Sequence, residues 1–282
     1  MRLIIVKKTF IAINKQNTSI FFLIALYSCQ IFGFNYLIAT HTLKKIPSPK
    51  IIVLAGHSVT GKGTFGKFLP EVSNLYIHVD LGEMVRREIR EKTKIGKEIQ
   101  PIYESGQYLD GTLDKIVWDK LICKKLEDTL GQNKTPIIDG FLRSKLCFDL
   151  LHKFITDQKI NNNSLLIQLI ANEQVCTKRI LTRRVCTNTK CSKIYNTLLP
   201  EYELLQNSKN SKNLTDVHDK TINKLCLCGA ELSNRSNNTK KFAQERRKHF
   251  DKEIEPLLAF AKNWYKYAKI NTKINIYSLN II

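Results

Sequence analysis

The stretch Lys50–Gly66 constrains the chain most. An apolar run, Ile51-Ile52-Val53-Leu54-Ala55, leads straight into Gly56-His57-Ser58-Val59-Thr60-Gly61-Lys62-Gly63-Thr64. Four apolar β-formers and an alanine predict a short buried strand. The glycines let the backbone turn tightly, with amide N–H groups facing inward around an anion. Lys62 adds a cation at the same place, and Phe65–Leu69 can open a helix whose N-terminus again favours an anion. The spacing of Gly56, Gly61 and Lys62 is that of a phosphate-binding loop. A glycine-rich surface turn is the bland alternative, and the strand before with the helix after weighs against it.

The residue after Lys62 is Gly63 rather than Ser or Thr, and the hydroxyl arrives one place later at Thr64. The ending Gly61-Lys62-Gly63-Thr64 resembles that of the adenylate kinase family of nucleoside monophosphate kinases, and the resemblance runs over about residues 50–280. Strands expected near 51, 75, 135, 164 and 274 alternate with helices. That rhythm predicts an α/β fold: a five-stranded parallel sheet with helices on both faces. The resemblance implies one kinase domain over 50–282, with a flap over the acceptor nucleotide at about 80–112 and a cysteine-bearing lid at about 185–235. It implies that ATP, with Mg²⁺, phosphorylates a nucleoside monophosphate, and that the chain works as a cytoplasmic monomer without a specific nucleic-acid partner.

The site residues follow from the same resemblance. Leu75–Val79 reads as a second strand, and a helix opens at Asp80 and runs to about Lys94. Leu81-Gly82-Glu83-Met84-Val85-Arg86 resembles the family's Thr-Gly-Asp-x-Leu-Arg, which implies that Arg86 grips the acceptor phosphate. A guanidinium suits that role because it forks onto two oxygens and stays charged; the alternative is an exposed helix charge. Gly96-Lys97 and Gly106–Leu109 resemble the rest of the flap, and 112–130 reads as an amphipathic helix with Leu113, Ile116, Val117, Leu121 and Leu126 on its apolar face.

Thr135–Arg143 is the second strong signal. An apolar strand ending in aspartate is where a phosphate-loop kinase holds Mg²⁺ through water, so the resemblance implies that Asp139 organises the metal; a turn residue before Gly140 is the alternative. The family's Asp-Gly-Phe-Pro-Arg becomes Asp139-Gly140-Phe141-Leu142-Arg143, which implies a second phosphate clamp at Arg143. Cys147 stands where the family places a glutamine that reads adenine. A thiol cannot reproduce an amide's paired donor and acceptor, so the acceptor base is not specified as adenine. After a fourth strand at Ser164–Ile170, a helix from Glu173 carries Arg179, Arg183 and Arg184. By resemblance Arg179 meets the ATP base and Arg183 its phosphates; four residues apart, they would share one helix face. A solvated basic face is the alternative.

Cys186-x4-Cys191 and Cys226-x-Cys228 bracket the lid. Their second halves resemble the knuckles of zinc-bearing lids, and four thiolates can hold a structural zinc tetrahedrally. A degenerate lid with unligated thiols is the alternative. In Asn234-Arg235-Ser236-Asn237-Asn238, Arg235 matches the family, but two asparagines replace two aspartates, which predicts looser arginines. Arg246 falls at the spacing of a later family arginine. Lys62, Arg183, Arg235 and Arg246 would then surround the transferring phosphoryl group, a reaction that needs positioning and electrostatics rather than a protein base. Thr239–Lys269 reads as one long helix and Ile274–Leu279 as the final strand.

Composition adds a net charge of +20, from 45 Lys+Arg against 25 Asp+Glu. Such a field attracts nucleotides, nucleic acid or anionic lipid alike. A basic zinc-ribbon protein that binds nucleic acid is therefore one alternative, weakened by the lack of aromatics among the basic runs. A family member that binds nucleotide without turnover is another. At the amino end, residues 20–40 are uncharged and mostly apolar, about the length that spans a bilayer. Residues 1–49 thus form either a membrane anchor or an inert extension. The basic residues in front favour a cytoplasmic amino end, which would carry the kinase domain away from ATP.

Overall fold

The computed structural model describes residues 2–6, 9–13, 49–105, 111–188, 191, 193–197, 225–234 and 238–271. In chain order its strands are β1 (Arg2–Val6), β2 (Thr9–Ile13), β3 (Ile51–Ala55), β4 (Tyr76–Asp80), β5 (Thr135–Asp139), β6 (Ser164–Ile170), β7 (Arg183–Cys186), β8 (Ile194–Asn196), β9 (Leu232–Ser233) and β10 (Lys266–Asn271). The helices are α1 (Lys62–Val72), α2 (Leu81–Arg90), α3 (Lys94–Ser105), α4 (Gly111–Val117), α5 (Cys123–Gly131), α6 (Lys145–Asp157), α7 (Glu173–Leu181), α8 (Lys240–His249) and α9 (Glu255–Ala261). The described residues of Met1–Ala171 and Arg246–Ile274 form one compact unit, and those of Asn172–Glu245 another.

The first unit is built on a five-stranded sheet in the order β10-β6-β3-β5-β4, with every pair parallel. β3 and β5 are buried at all five positions, so both faces are covered, and the continuous apolar run Ile51–Ala55 is the sequence signature of that burial. Each of Ile51, Ile52 and Leu54 contributes on the order of 1.5–3 kcal/mol by leaving water. The chain leaves β3, crosses to β4, and returns to place β5 beside β3; β6 lies on the other side. The carboxyl end of β3 is therefore the point where strand order reverses, the usual ligand position in an open parallel sheet.

Two helical stretches carry wide turns. Trp118–Ile122 between α4 and α5, and Phe250–Ile254 between α8 and α9, are π-helical. The second precedes Pro256, which stands at the start of α9, where its missing N–H does least harm. Phe250, Ile254, Leu258 and Ala261 are nonetheless buried in the core, and Leu257 packs half-buried against it. The helix does not reach Lys269: it ends at Ala261, and Lys266–Asn271 forms edge strand β10 on β6. The fifth strand thus lies earlier than the expected Ile274–Leu279, a segment outside the described residues.

β1 and β2 pair as an antiparallel hairpin. Residues 20–40 lie outside the described residues, and no described helix is long and apolar enough to cross a membrane. In the second unit β7 pairs antiparallel with β8 and β9, in the order β8-β7-β9. Here a further expectation fails. Arg183 and Arg184 stand on β7, not on the helix with Arg179. Thr182 turns its hydroxyl back to the Lys178 carbonyl at 2.7 Å, and its own carbonyl accepts the Thr197 amide at 3.0 Å. Strand pairing of Arg183 with Asn196 then replaces the helical turn.

Candidate active site

Between β3 and α1 the loop takes three left-handed turns, at Gly56 (φ 134°), Val59 (φ 59°) and Gly61 (φ 101°). Gly56 is also a close approach: a Cβ there would sit 2.1 Å from the Leu169 carbonyl oxygen on β6. Lys62 folds over this loop and donates to the carbonyls of Gly56 and His57, each at 2.7 Å. Gly61 caps α1 without a side-chain acceptor, and the first turn of α1 carries no acidic residue. The positive end of the helix favours an anion there. Thr64, the expected hydroxyl, is exposed in that first turn.

His57 reaches from the loop to Asp251, with 2.6 Å between Nε2 and Oδ1. Burial holds its pKa below the usual 6.5, and the bond to Asp251 only partly offsets that.

Asp139 ends β5, the neighbour of β3, and is 7% exposed. Its Oδ2 lies 3.5 Å from where a Cβ of Gly63 would stand, so the carboxylate faces the start of α1. Arg143 follows, its Nε and Nη2 donating to the Gly140 carbonyl at 3.1 and 2.7 Å, with Gly140 at φ 78°. The Arg143 carbonyl accepts from His249 Nε2 at 2.7 Å. Arg86 on α2 is not a solvated charge: it is half-buried and ion-paired with Glu83 at 2.9 Å. Cys147 is fully buried, and burial, with Asp114 nearby, pushes its thiol up to about 12. It is a core residue in the first turn of α6. Arg246 is half-buried in the last turn of α8.

In the second unit Arg179 is half-buried on α7. Arg183 donates through Nε and Nη2 to Asn238 Oδ1, and Asn238 Nδ2 returns a bond to the Arg183 carbonyl at 3.3 Å. Asn238 therefore still binds Arg183 through its side-chain amide. Arg235 and Asn237 lie outside the described residues. Cys186, Cys191, Cys226 and Cys228 converge with their sulfurs within 4.8 Å of one another, a cluster able to hold a metal ion. Sulfur pairs stand at 3.4 Å (Cys186–Cys228) and 3.6 Å (Cys191–Cys226), close to the ~3.8 Å edge of a tetrahedral Zn–S4 site. Burial pushes the Cys226 thiol up, but the Tyr195 hydroxyl at 3.2 Å, the Cys228 amide and the neighbouring thiols outweigh it and bring it to about 6.

Two residues have no motif that announces them, His78 and Asp80 on β4: Asp80 pairs in register with Asp139, and His78 Nε2 lies 3.5 Å from Asp139 Oδ2.

A glycine loop with its lysine at the reversal point of a parallel sheet, and a carboxylate on the adjacent strand end, define a P-loop kinase α/β fold. A profile of the adenylate kinase family matches residues 54–266. The chain belongs to the adenylate kinase family. It is similar to the adenylate kinase of Borrelia recurrentis (strain A1), at 29% identity over 227 residues, covering 80% of this chain and 90% of the relative. That of Clostridium tetani is 26% identical, covering 75% of this chain and 86% of the relative. That of Thermosipho melanesiensis is 26% identical, covering 82% of this chain and 98% of the relative.

Proposed function

We propose that the chain transfers the terminal phosphoryl group of ATP to a nucleoside monophosphate, giving ADP and a nucleoside diphosphate. The observation that carries this reading is the meeting of the Gly56–Thr64 loop, Lys62 and Asp139 at the ends of adjacent strands β3 and β5. Backbone amides and Lys62 hold the donor phosphates. Arg86 and Arg143 clamp the acceptor phosphate. Asp139 is the residue suited to magnesium, which supplies charge neutralisation on the phosphate oxygens. Arg179 meets the donor base, and Arg183, Arg235 and Arg246 add positive charge for the transition state. Residues of about 80–112 act as the acceptor flap and those of about 185–235 as a lid held by zinc on the four cysteines. Closure of both excludes water, so that ATP is not hydrolysed.

With Cys147 buried, no amide stands at that position to select adenine, and the acceptor base is open to other monophosphates. The chain works as a monomer in the cytoplasm, where both substrates are available. The test offers ATP with AMP, CMP, GMP, UMP and dTMP in turn and measures diphosphate. Product from at least one, abolished in Lys62→Ala, supports the reading. ATP binding with no product from any of them would replace it with nucleotide binding without turnover.

A further inference from the structure

We propose that His78, Asp80 and Asp139 form a protein-built site for a first-row divalent transition metal, occupied in the absence of nucleotide. One ligand atom from each of the three lies within 4.8 Å of the others. The three come from two adjacent strands whose register sets Asp80 beside Asp139. His78 and Asp139 side chains are each 10% exposed, and no hydrogen-bond partner is found for the buried Nε2 of His78. A buried imidazole nitrogen without a partner is costly unless something accepts or ligates it. Here it stands 3.5 Å from Asp139 Oδ2, near the ~3 Å that separates neighbouring ligands around a metal with ~2.1 Å bonds.

Helix α1 is shaped around that nitrogen. A Cβ on Gly66 would fall 2.3 Å from His78 Nε2, so only glycine lets the ring lie there. Asp80 Oδ1 caps α2 by accepting the Glu83 amide at 3.1 Å, and Oδ2 is ion-paired with Arg86 at 4.0 Å, too long for a hydrogen bond. Two carboxylates and one imidazole suit Mn²⁺, Fe²⁺ or Co²⁺; magnesium asks for oxygen ligands throughout. Mn²⁺ distinguishes this site from the four cysteines, because thiolates select softer metals.

The inference rests on the kinase reading only for what the ion does there, since a cation beside Gly63 stands next to the donor phosphates. Its test needs no turnover. Nucleotide-free protein is titrated with Mn²⁺ alone, and free ion is followed by electron paramagnetic resonance. One ion should bind per chain, with spin-echo modulation from a coordinated nitrogen. Asp80→Ser, which keeps a helix cap, should weaken binding. His78→Gln should weaken it too and abolish the nitrogen signal. Loss of even an outer partner of a metal site costs about 10–100-fold, so each variant should lose at least about tenfold. Cys226→Ser should leave Mn²⁺ binding unchanged. No bound Mn²⁺ in the wild-type protein would overturn the site and leave His78 as an ion-pair partner of Asp139. Binding that both variants retain would overturn it as well. A protein that binds Mn²⁺ but makes no diphosphate keeps the site and loses the kinase reading; one that makes diphosphate without binding does the reverse.

Discussion

Replacing Lys62 separates what the lysine does for the loop from what it does for a phosphate. Its ammonium bridges two carbonyls, Gly56 and His57, each at 2.7 Å. Hydrogen bonds from a charged group contribute about 1.5–3 kcal/mol each when buried. Lys62 is only half-buried and water can reach the loop, so Lys62→Met should lose about 2 kcal/mol in total, towards the low end of that range. For a domain of this size that lowers Tm by roughly 4–8 °C. Catalysis should suffer more. Removing one preorganised donor from a developing charge costs about 2.7–4 kcal/mol, or about 10²–10³ in rate. The assay is kcat/KM for the best monophosphate acceptor, well below the variant's Tm, beside a thermal melt of the same sample. Lys62→Arg keeps the charge but puts a planar fork where a compact ammonium bridges two carbonyls, and should fall between. A Lys62→Met protein that stays folded and within about tenfold of wild-type kcat/KM would refute the assignment of Lys62 to the phosphates.

Three further outcomes follow from the geometry. Gly56→Ala forces a Cβ to 2.1 Å from the Leu169 carbonyl at φ 134° and should destabilise by about 2–5 kcal/mol, read by urea denaturation. Cys226→Ser should take zinc from one per chain to near none by elemental analysis and speed proteolysis within residues 225–234; equal zinc in both proteins would contradict the lid proposal. The buried His57 titrates below its unfolded value of 6.5, so the native state binds fewer protons and this residue's share of stability falls as pH drops through 6.5 towards the lower folded value. In an NMR titration Asp251→Asn should move the His57 pKa further down, since Asp251 is the partner that raises it; an upward move would show the cause misassigned.

What could be read from the chain alone was whatever depends on neighbours in sequence. Ile51–Ala55 is apolar throughout because β3 is covered on both faces, and the glycine spacing of 56 and 61 records two left-handed turns directly. Long-range pairing is different. Lys266–Asn271 reads Lys-Tyr-Ala-Lys-Ile-Asn, a pattern with no apolar run, because β10, among the described strands, is an edge strand paired with β6 alone. Nothing local marks it as a strand. Arg183 follows Arg179 at helical spacing, but the partner that draws it into β7 is Asn196, beyond the cysteine at 191. His78 and Asp80 stayed hidden for the same reason: their place beside Asp139 exists only once β4 and β5 pair in register.

The cations proposed to bind phosphate differ in what holds them. Lys62 is anchored on two backbone carbonyls, Arg143 on the Gly140 carbonyl, and Arg183 on the amide oxygen of Asn238. Arg86 is anchored on the Glu83 carboxylate. A neutral oxygen fixes a cation's position and leaves its charge whole; a carboxylate fixes it and cancels much of the field. At about 4 Å and an effective dielectric near 20, one full charge on a phosphate interacts by about 4 kcal/mol, so the difference is large. The amide oxygen of Asn238 places Arg183 in the first class. It fixes the arginine and leaves its charge whole. Under the proposed function Arg183 would therefore offer the donor phosphates a whole charge, in a chain whose net charge of +20 already draws anions in.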